Sequence, residues 1–329
     1  MSYAYDDRWR GKTYLSPEGN TAGQLTVWEF CKRRLIRLHP MVVLGVLFGI
    51  MAFCLQGFTK WDGTSVPVSM LLVGTLLSLF MIPTPASLDV RGNTEIFPLN
   101  GPHWSLFFEY LGSILYAVLI VRVSTKNLQR WVSIAALALT SYALFCADGH
   151  IGVGWSSEPK NLLGGALRLL FAYPIGMLLA RKFREERPRQ IRKPIFLLSG
   201  IALALLLTVP SFSWLTAWKN ANVWYQIICI TMIFPVLIYV GARGAVGGKE
   251  KAAADYLGRL SYPLYAVHYP LIYLYIHWIN TDSHPFGPYT WSTPVALFVI
   301  AGVLATVCYK FYDEPLRRIL TRWFTTISR

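Results

Sequence analysis

Apolar runs of about 20 residues dominate this sequence, and that is the length a helix needs to cross the hydrocarbon core of a bilayer. The runs recur between Pro40 and Ala305 and are continuous rather than alternating. They therefore predict helices and exclude the period-two strands of an outer-membrane barrel. The composition agrees, because 54% of the residues are hydrophobic and only 15% are charged. We predict an all-α, polytopic helical membrane protein.

The apolar runs define about eight or nine transmembrane segments. The candidates are residues 41–57, 68–82, 104–121, 131–146, 162–180, 194–209, 224–240, 262–279 and 294–311. No soluble domain of useful size fits between them. The sequence therefore predicts one integral, multi-pass membrane domain over residues 1–329.

The net charge of +14 would suggest a nucleic-acid partner in a soluble protein, but here the basic residues cluster at the ends of apolar runs. This pattern indicates cytoplasmic loops and contact with membrane lipids, and we expect no nucleic-acid partner. Those loops are Lys32 to Arg37, Arg122 to Arg130, Arg181 to Lys193, Arg243 to Arg259 and the tail from Lys310 to Arg329. The five cysteines lack C-x-x-C spacing, so we expect neither a disulfide framework nor a metal site.

The segment 68–82 breaks the alternation of basic and weakly charged loops. Two crossings would return the chain to the cytoplasm, whereas the third span needs to start outside. The segment is short and is followed by Pro83 and Pro85. The simplest hypothesis is that it is re-entrant or lies in the interface.

Glu109 is the first candidate for chemistry, because an ionisable residue inside a membrane is costly and usually functional. Ser105 lies four residues earlier and shares its helical face. Trp104 is a further polar residue at the same depth. One interpretation is a carboxylate in a polar cavity that orients a base or binds a sugar hydroxyl. The other is an acid at a helix end, stabilised by the helix dipole.

Two further polar residues lie in apolar runs. Arg168 is either part of a structural ion pair, with Glu109 as one partner considered, or an anion site. His268 lies in a segment that also presents Tyr265, and a lone buried histidine is more often a packing residue than a catalyst.

A basic segment, Phe30 to Pro40, precedes the first predicted span and contains Arg33, Arg34 and Arg37. Guanidinium groups bind phosphate oxygens in bidentate fashion, so the segment could hold the phosphates of a donor such as coenzyme A. It could equally be a topology anchor attracted to anionic lipid head groups. Composition leaves both interpretations open.

In their order along the chain, these segments resemble the acyltransferase-3 family of membrane-bound O-acyltransferases. The basic segment is similar to the family's Arg-x-x-Arg motif, and Trp104 to Glu109 is similar to its Trp-Ser-Leu-x-x-Glu motif. The remaining matches are Arg168 with Phe171 and Gly176, Ser261 to Tyr265 with His268 and Pro270, and Tyr312-Asp-Glu-Pro-Leu-Arg317.

The resemblance implies an enzyme that transfers an acyl group, often acetyl, from acyl-CoA to a hydroxyl. The acceptor would be a carbohydrate or another cell-envelope or secondary-metabolite molecule, and acyl-CoA would be a donor substrate, with no cofactor. Glu109 and His268 would be catalytic, and substrate would contact Arg33, Arg34, Arg37, Trp104, Ser105, Arg168 and Tyr265. The expected location is the bacterial cytoplasmic membrane. The competing class is a transporter or flippase of a small metabolite or lipid-linked sugar, which predicts interrupted helices and repeat symmetry.

One departure from the family concerns its catalytic histidine, which lies in a first transmembrane helix ahead of a Phe-Phe-x-x-Ser-Gly helix. This sequence contains neither feature, and its opening residues are similar to the stretch that follows the second helix. We therefore expect the domain to be N-terminally incomplete. Either the start is misassigned or truncated, which we favour because the other motifs look intact, or the chain is an inactive remnant.

Overall fold

The computed structural model describes residues 26–147, 150–186, 194–209, 221–244, 246–281 and 288–327. Helices dominate these residues, and the β-structure among them consists of isolated bridges, such as Thr59 with Ser65 and Glu95 with Ser156. The all-α prediction is therefore confirmed. Each of the nine predicted segments coincides with a helix.

The helices follow the apolar runs, with longer ends than the sequence predicts. They are α1 Val27–Leu55, α2 Val68–Leu79, α3 His103–Val118, α4 Thr125–Phe145, α5 Pro159–Glu186, α6 Pro194–Leu207, α7 Ala221–Ile228, α8 Phe234–Ala242, α9 Gly248–Thr281, α10 Pro288–Cys308 and α11 Glu314–Ile327. A π-helical turn, Cys229–Ile233, joins α7 to α8, and another, Tyr309–Asp313, joins α10 to α11. Within the described residues, five helical stretches are long and apolar enough to cross a membrane, and the shorter α2 and α6 are also apolar.

The first helix starts earlier than predicted. Thr26 and Glu29 form a reciprocal capping box, in which Glu29 N–H donates to Thr26 Oγ1 at 3.2 Å and Thr26 N–H donates to Glu29 Oε2 at 2.9 Å. The helix then runs through Pro40 without ending. The predicted span from residue 41 therefore begins inside this helix, and the basic segment forms the first turns of α1.

The described residues divide into two compact units. One, here named the α4/α5 unit, lies within residues 114–154 and 159–254. Ser124 caps α4 by accepting from Asn127 N–H at 3.3 Å, and α4 packs closely along α5. Its apolar core includes Leu128, Leu139 and Phe171, all almost fully buried.

The other unit, named the α1/α9 unit, lies within residues 26–113, 155–158 and 255–329. Its core has two parts: one joins α1 to α2 through Val46, Phe53 and Leu71, and the other joins α1 to α9 and α10. Gly49 is needed here, because a Cβ atom at this position would lie 2.0 Å from the carbonyl oxygen of Leu99. The missing side chain lets the chain before α3 pack directly on α1.

The chain that leads into α2 contacts the chain that follows it. Trp61 N–H donates to the carbonyl oxygen of Arg91 at 3.1 Å, so the chain before α2 meets the chain after it. Between these points, Gly74 of α2 faces Val90 and the carbonyl of Leu88. This geometry agrees with the re-entrant hypothesis for residues 68–82, which stays a prediction.

Candidate functional site

The first turn of α3 is held against α9 by a phenol of the α1/α9 unit. The Tyr265 hydroxyl donates to the carbonyl oxygen of Pro102 at 2.7 Å, and the Ser105 hydroxyl lies 2.5 Å from the Tyr265 oxygen. A phenol carries one proton and a carbonyl only accepts, so Ser105 is the donor to Tyr265. The structure thus brings two predicted substrate-binding residues together, 160 positions apart in sequence.

His268 lies one turn beyond Tyr265 on α9 and is half-buried. Its Nδ1 lies 2.9 Å from the carbonyl oxygen of Tyr265 and 3.1 Å from that of Leu264. Because carbonyl oxygens only accept, Nδ1 carries the proton in this arrangement. In a neutral imidazole the other nitrogen, Nε2, then has a lone pair, which is the form that a general base needs.

Trp104 and Glu109 flank Ser105 on α3, and both are half-buried. The Trp104 ring packs edge-on against Phe108 at a centroid distance of 6.2 Å. The Tyr262 phenol of α9 interacts electrostatically with Glu109. Both α3 residues belong to the same unit as Tyr265 and His268.

The basic turns of α1 pack beside α11 in the same unit. Arg33 and Arg34 are half-buried and Arg37 is exposed, and helical spacing places Arg37 on one face with each of them. Arg37 interacts electrostatically with Asp313, which also forms a 2.6 Å ion pair with Arg317. The basic motif and the acidic-Pro motif of the sequence are therefore neighbours.

Arg168 belongs to the α4/α5 unit, where its guanidinium donates to the carbonyl oxygen of Val153 at 2.9 Å. Glu109 belongs to the other unit. An ion pair between the two therefore stays a prediction.

The structure contains a buried polar cluster that the sequence did not predict. It surrounds Arg91, which is 1% exposed and lies between α2 and α3. Arg91 Nε donates to the Pro98 carbonyl at 2.5 Å, and Nη1 donates to Gln56 Oε1 at 2.7 Å. Gln56 in turn donates to the Tyr273 carbonyl at 2.8 Å, and the Arg91 guanidinium lies 3.4 Å from the centroid of the Tyr273 ring.

Glu95 completes this cluster. It accepts a 2.5 Å hydrogen bond from the Tyr273 hydroxyl and is 9% exposed. Burial is the main reason that the pKa of Glu95 rises to about 7, although the Tyr273 hydrogen bond and Arg91 oppose that rise. Burial also lowers the pKa of Arg91, while Tyr273 and Glu95 oppose that change. The one sequence signal was three ionisable residues, Asp89, Arg91 and Glu95, within an otherwise weakly charged loop.

His103 and Asn100 are also buried at the start of α3. His103 is fully buried, and neither of its ring nitrogens has a hydrogen-bond partner within the described residues. The Asn100 amide donates to the Ala266 carbonyl at 2.7 Å. The start of α3 is therefore polar on the side that meets α1 and α9.

Comparison with known proteins gives one match. The model of a family described as an acyltransferase domain matches residues 14–312. No curated protein and no solved structure matches the chain.

Proposed function

Because the chain belongs to the acyltransferase-3 family, we propose that it transfers an acyl group, acetyl in the simplest case, from acyl-CoA to a hydroxyl. The acceptor is a carbohydrate or another cell-envelope or metabolite molecule, and the reaction takes place in the bacterial cytoplasmic membrane. The observation that carries this proposal is the contact between Ser105 and Tyr265, one turn from His268, whose Nδ1 lies 2.9 Å from the carbonyl oxygen of Tyr265.

In this proposal His268 is the general base. The acceptor hydroxyl gives its proton to Nε2 of His268 while its oxygen forms a bond to the acyl carbon. The carbon–sulfur bond of the thioester then breaks, and the proton passes from His268 to the departing thiolate. The products are the acyl ester and free coenzyme A, so atoms and charge balance without a cofactor.

Ser105 orients the acceptor. Its proton is used in the bond to Tyr265, so its oxygen lone pairs remain to accept a hydrogen bond from a second hydroxyl of the acceptor, next to the one that reacts. Glu109, one turn further along α3, binds a further hydroxyl, and Trp104 offers an apolar face. These roles suit a molecule with several hydroxyl groups.

The donor binds at the basic turns of α1. Arg33, Arg34 and Arg37 hold the phosphates of coenzyme A, and Asp313 orients Arg37. The shared helical face of Arg34 and Arg37 supports a phosphate site, whereas an anchor for anionic lipid would need only the charge. The predicted contact between Arg168 and substrate stays a prediction.

The test is incubation of membranes that carry the protein with radiolabelled acetyl-CoA. We expect release of the coenzyme A thiol and transfer of label to a membrane or soluble acceptor, through a bond that mild alkali cleaves because it is an ester. Membranes carrying His268→Gln are the control. A transporter would leave acetyl-CoA unconsumed, and that result would overturn the proposal.

A further inference from the structure

The Tyr273 hydroxyl joins two parts of the chain that are far apart in sequence. It donates to Glu95 Oε2 at 2.5 Å and accepts from the backbone N–H of Gly101 at 3.1 Å. Gly101 lies two residues before α3 and four before Ser105. One buried phenol on α9 therefore fixes where α3 begins.

The approach of the two segments depends on the glycine. A Cβ atom at position 101 would lie 2.8 Å from Cε1 of Tyr269 and 3.0 Å from the Tyr273 hydroxyl. Because any side chain would push the phenols away, the bond from Gly101 to Tyr273 requires glycine here. The contact belongs to a close-packed junction rather than to a loose loop.

Glu95 fixes the Tyr273 hydroxyl in turn. The phenol has one proton and gives it to Glu95, which leaves its oxygen free to accept from Gly101. Arg91 lies over the Tyr273 ring and holds the Pro98 carbonyl, so the loop that carries Glu95 is fixed at a second point. The chain of contacts thus runs from Arg91 and Glu95 through Tyr273 to the first turn of α3.

From this geometry we infer that Glu95 and Tyr273 are positioning residues, which set the location of Ser105 relative to Tyr265 and His268 on α9. The inference rests on the proposed function for its consequence in catalysis. Tyr273 lies about two turns beyond Tyr265 on the same helix. The start of α3 therefore contacts α9 through two phenols that are about two helical turns apart. Removal of the Tyr273 contact leaves the start of α3 held to α9 only near Tyr265 and Ala266.

The first test measures position without requiring activity. Hydrogen–deuterium exchange in detergent-solubilised protein should show faster exchange of the 100–106 peptide in Tyr273→Phe than in the unaltered protein. Tyr256→Phe is the matched control, because it removes a phenol on α9 that bonds Thr306 at 3.0 Å on the exposed surface. Equal exchange in Tyr273→Phe and Tyr256→Phe would overturn the inference.

The second test measures the consequence with acetyl-CoA as the probe. Tyr273→Phe should lower kcat for thiol release about tenfold, the effect of one or two buried hydrogen bonds, with KM for acetyl-CoA unchanged. Glu95→Gln retains an oxygen that accepts from Tyr273 and should stay within about threefold of the unaltered protein, whereas Glu95→Leu should match Tyr273→Phe. Equal loss in the Gln and Leu variants would overturn the role of Glu95 as an acceptor.

The two readouts separate the two hypotheses. Absence of thiol release from the unaltered protein would remove the proposed function, while the exchange data would still decide the positioning. Normal thiol release in Tyr273→Phe would remove the positioning role and leave the proposed function intact. If Tyr273→Phe does not fold, the pair Glu95→Gln and Glu95→Leu decides the question, because Gln is nearly isosteric with Glu.

Discussion

The Ser105 hydroxyl lies 2.5 Å from the phenol oxygen of Tyr265 and is the donor in that pair. Tyr265 directs its own proton to the Pro102 carbonyl, so the phenol connects the first turn of α3 to the middle of α9. His268 lies one turn away with Nδ1 protonated. The residues proposed to orient and deprotonate the acceptor therefore meet at one junction of two helices.

Removal of the Tyr265 hydroxyl should impair turnover. Tyr265→Phe keeps the ring but leaves Ser105 and the Pro102 carbonyl without their partner, so we expect kcat for acetyl-CoA thiol release to fall about ten- to hundredfold. The measurement is steady-state kinetics with membranes. Tyr256→Phe serves as the control and should be unchanged. Normal kcat in Tyr265→Phe would show that the junction is structural only.

Removal of the His268 imidazole should affect the chemical step. General-base catalysis contributes about 10²- to 10⁴-fold, so His268→Gln should reduce kcat by at least about 10² while the thermal midpoint stays nearly constant. His277→Gln changes another histidine of α9 and should retain activity. Retained turnover in His268→Gln would assign the base to another group.

The arginines of α1 should act on donor binding alone. Arg34→Ala and Arg37→Ala each remove a charged partner of a phosphate, so KM for acetyl-CoA should rise about tenfold while kcat changes little. Arg318→Ala is the control, since Arg318 is exposed and pairs with Glu314 at 2.6 Å. Direct measurement of acetyl-CoA affinity by filter binding checks the result. Unchanged affinity in both variants would favour the lipid-anchor interpretation.

The re-entrant hypothesis for residues 68–82 makes a topological prediction. Lys60 and Gly92 are neighbours, and Trp61 bonds the Arg91 carbonyl, so single cysteines at positions 60 and 93 should react with a membrane-impermeant thiol reagent from the same side. The five native cysteines are first replaced by serine. A cysteine at position 126, in a loop predicted to be cytoplasmic, should react from the other side. Labelling of positions 60 and 93 from opposite sides would contradict the geometry.

Glu95 should make stability depend on pH. Its pKa is about 7 in the folded protein and near 4.5 when exposed, so the folded state binds the proton more tightly. The associated stability is fully present below about pH 4.5 and is lost as pH rises through 7, with a total on the order of 3 kcal/mol. The thermal midpoint of the unaltered protein should therefore decrease as the pH is raised from 5 to 7.5, and it should decrease more than the midpoint of Glu95→Gln. If the thermal midpoints of the two proteins change with pH in parallel, burial does not raise the pKa of Glu95.

The helices themselves followed from the sequence. Runs such as 41–57 and 162–180 cannot be covered in water, and a backbone in lipid must satisfy its own hydrogen bonds, so helices were the available solution. The short segment 68–82 could be identified as irregular because it breaks the alternation of basic and weakly charged loops. Helix ends were less predictable, because the cap at Thr26 extends α1 through a basic stretch whose charges obscured its helical character.

The candidate site was also predictable only in part. Glu109, Ser105 and His268 were predicted as polar residues within apolar runs, since an ionisable or polar group in lipid carries a cost that demands an explanation. The pairing of Ser105 with Tyr265 was decided only by tertiary structure, because the two residues are 160 positions apart and no local pattern relates them. The bond from Tyr273 to Glu95 spans 178 positions, and the bond from Gly101 to Tyr273 requires a glycine whose missing side chain leaves room for two phenol rings. Hydrophobicity acts along the chain and can be deduced from the sequence, whereas directional hydrogen bonds between distant residues exist only once the helices have packed.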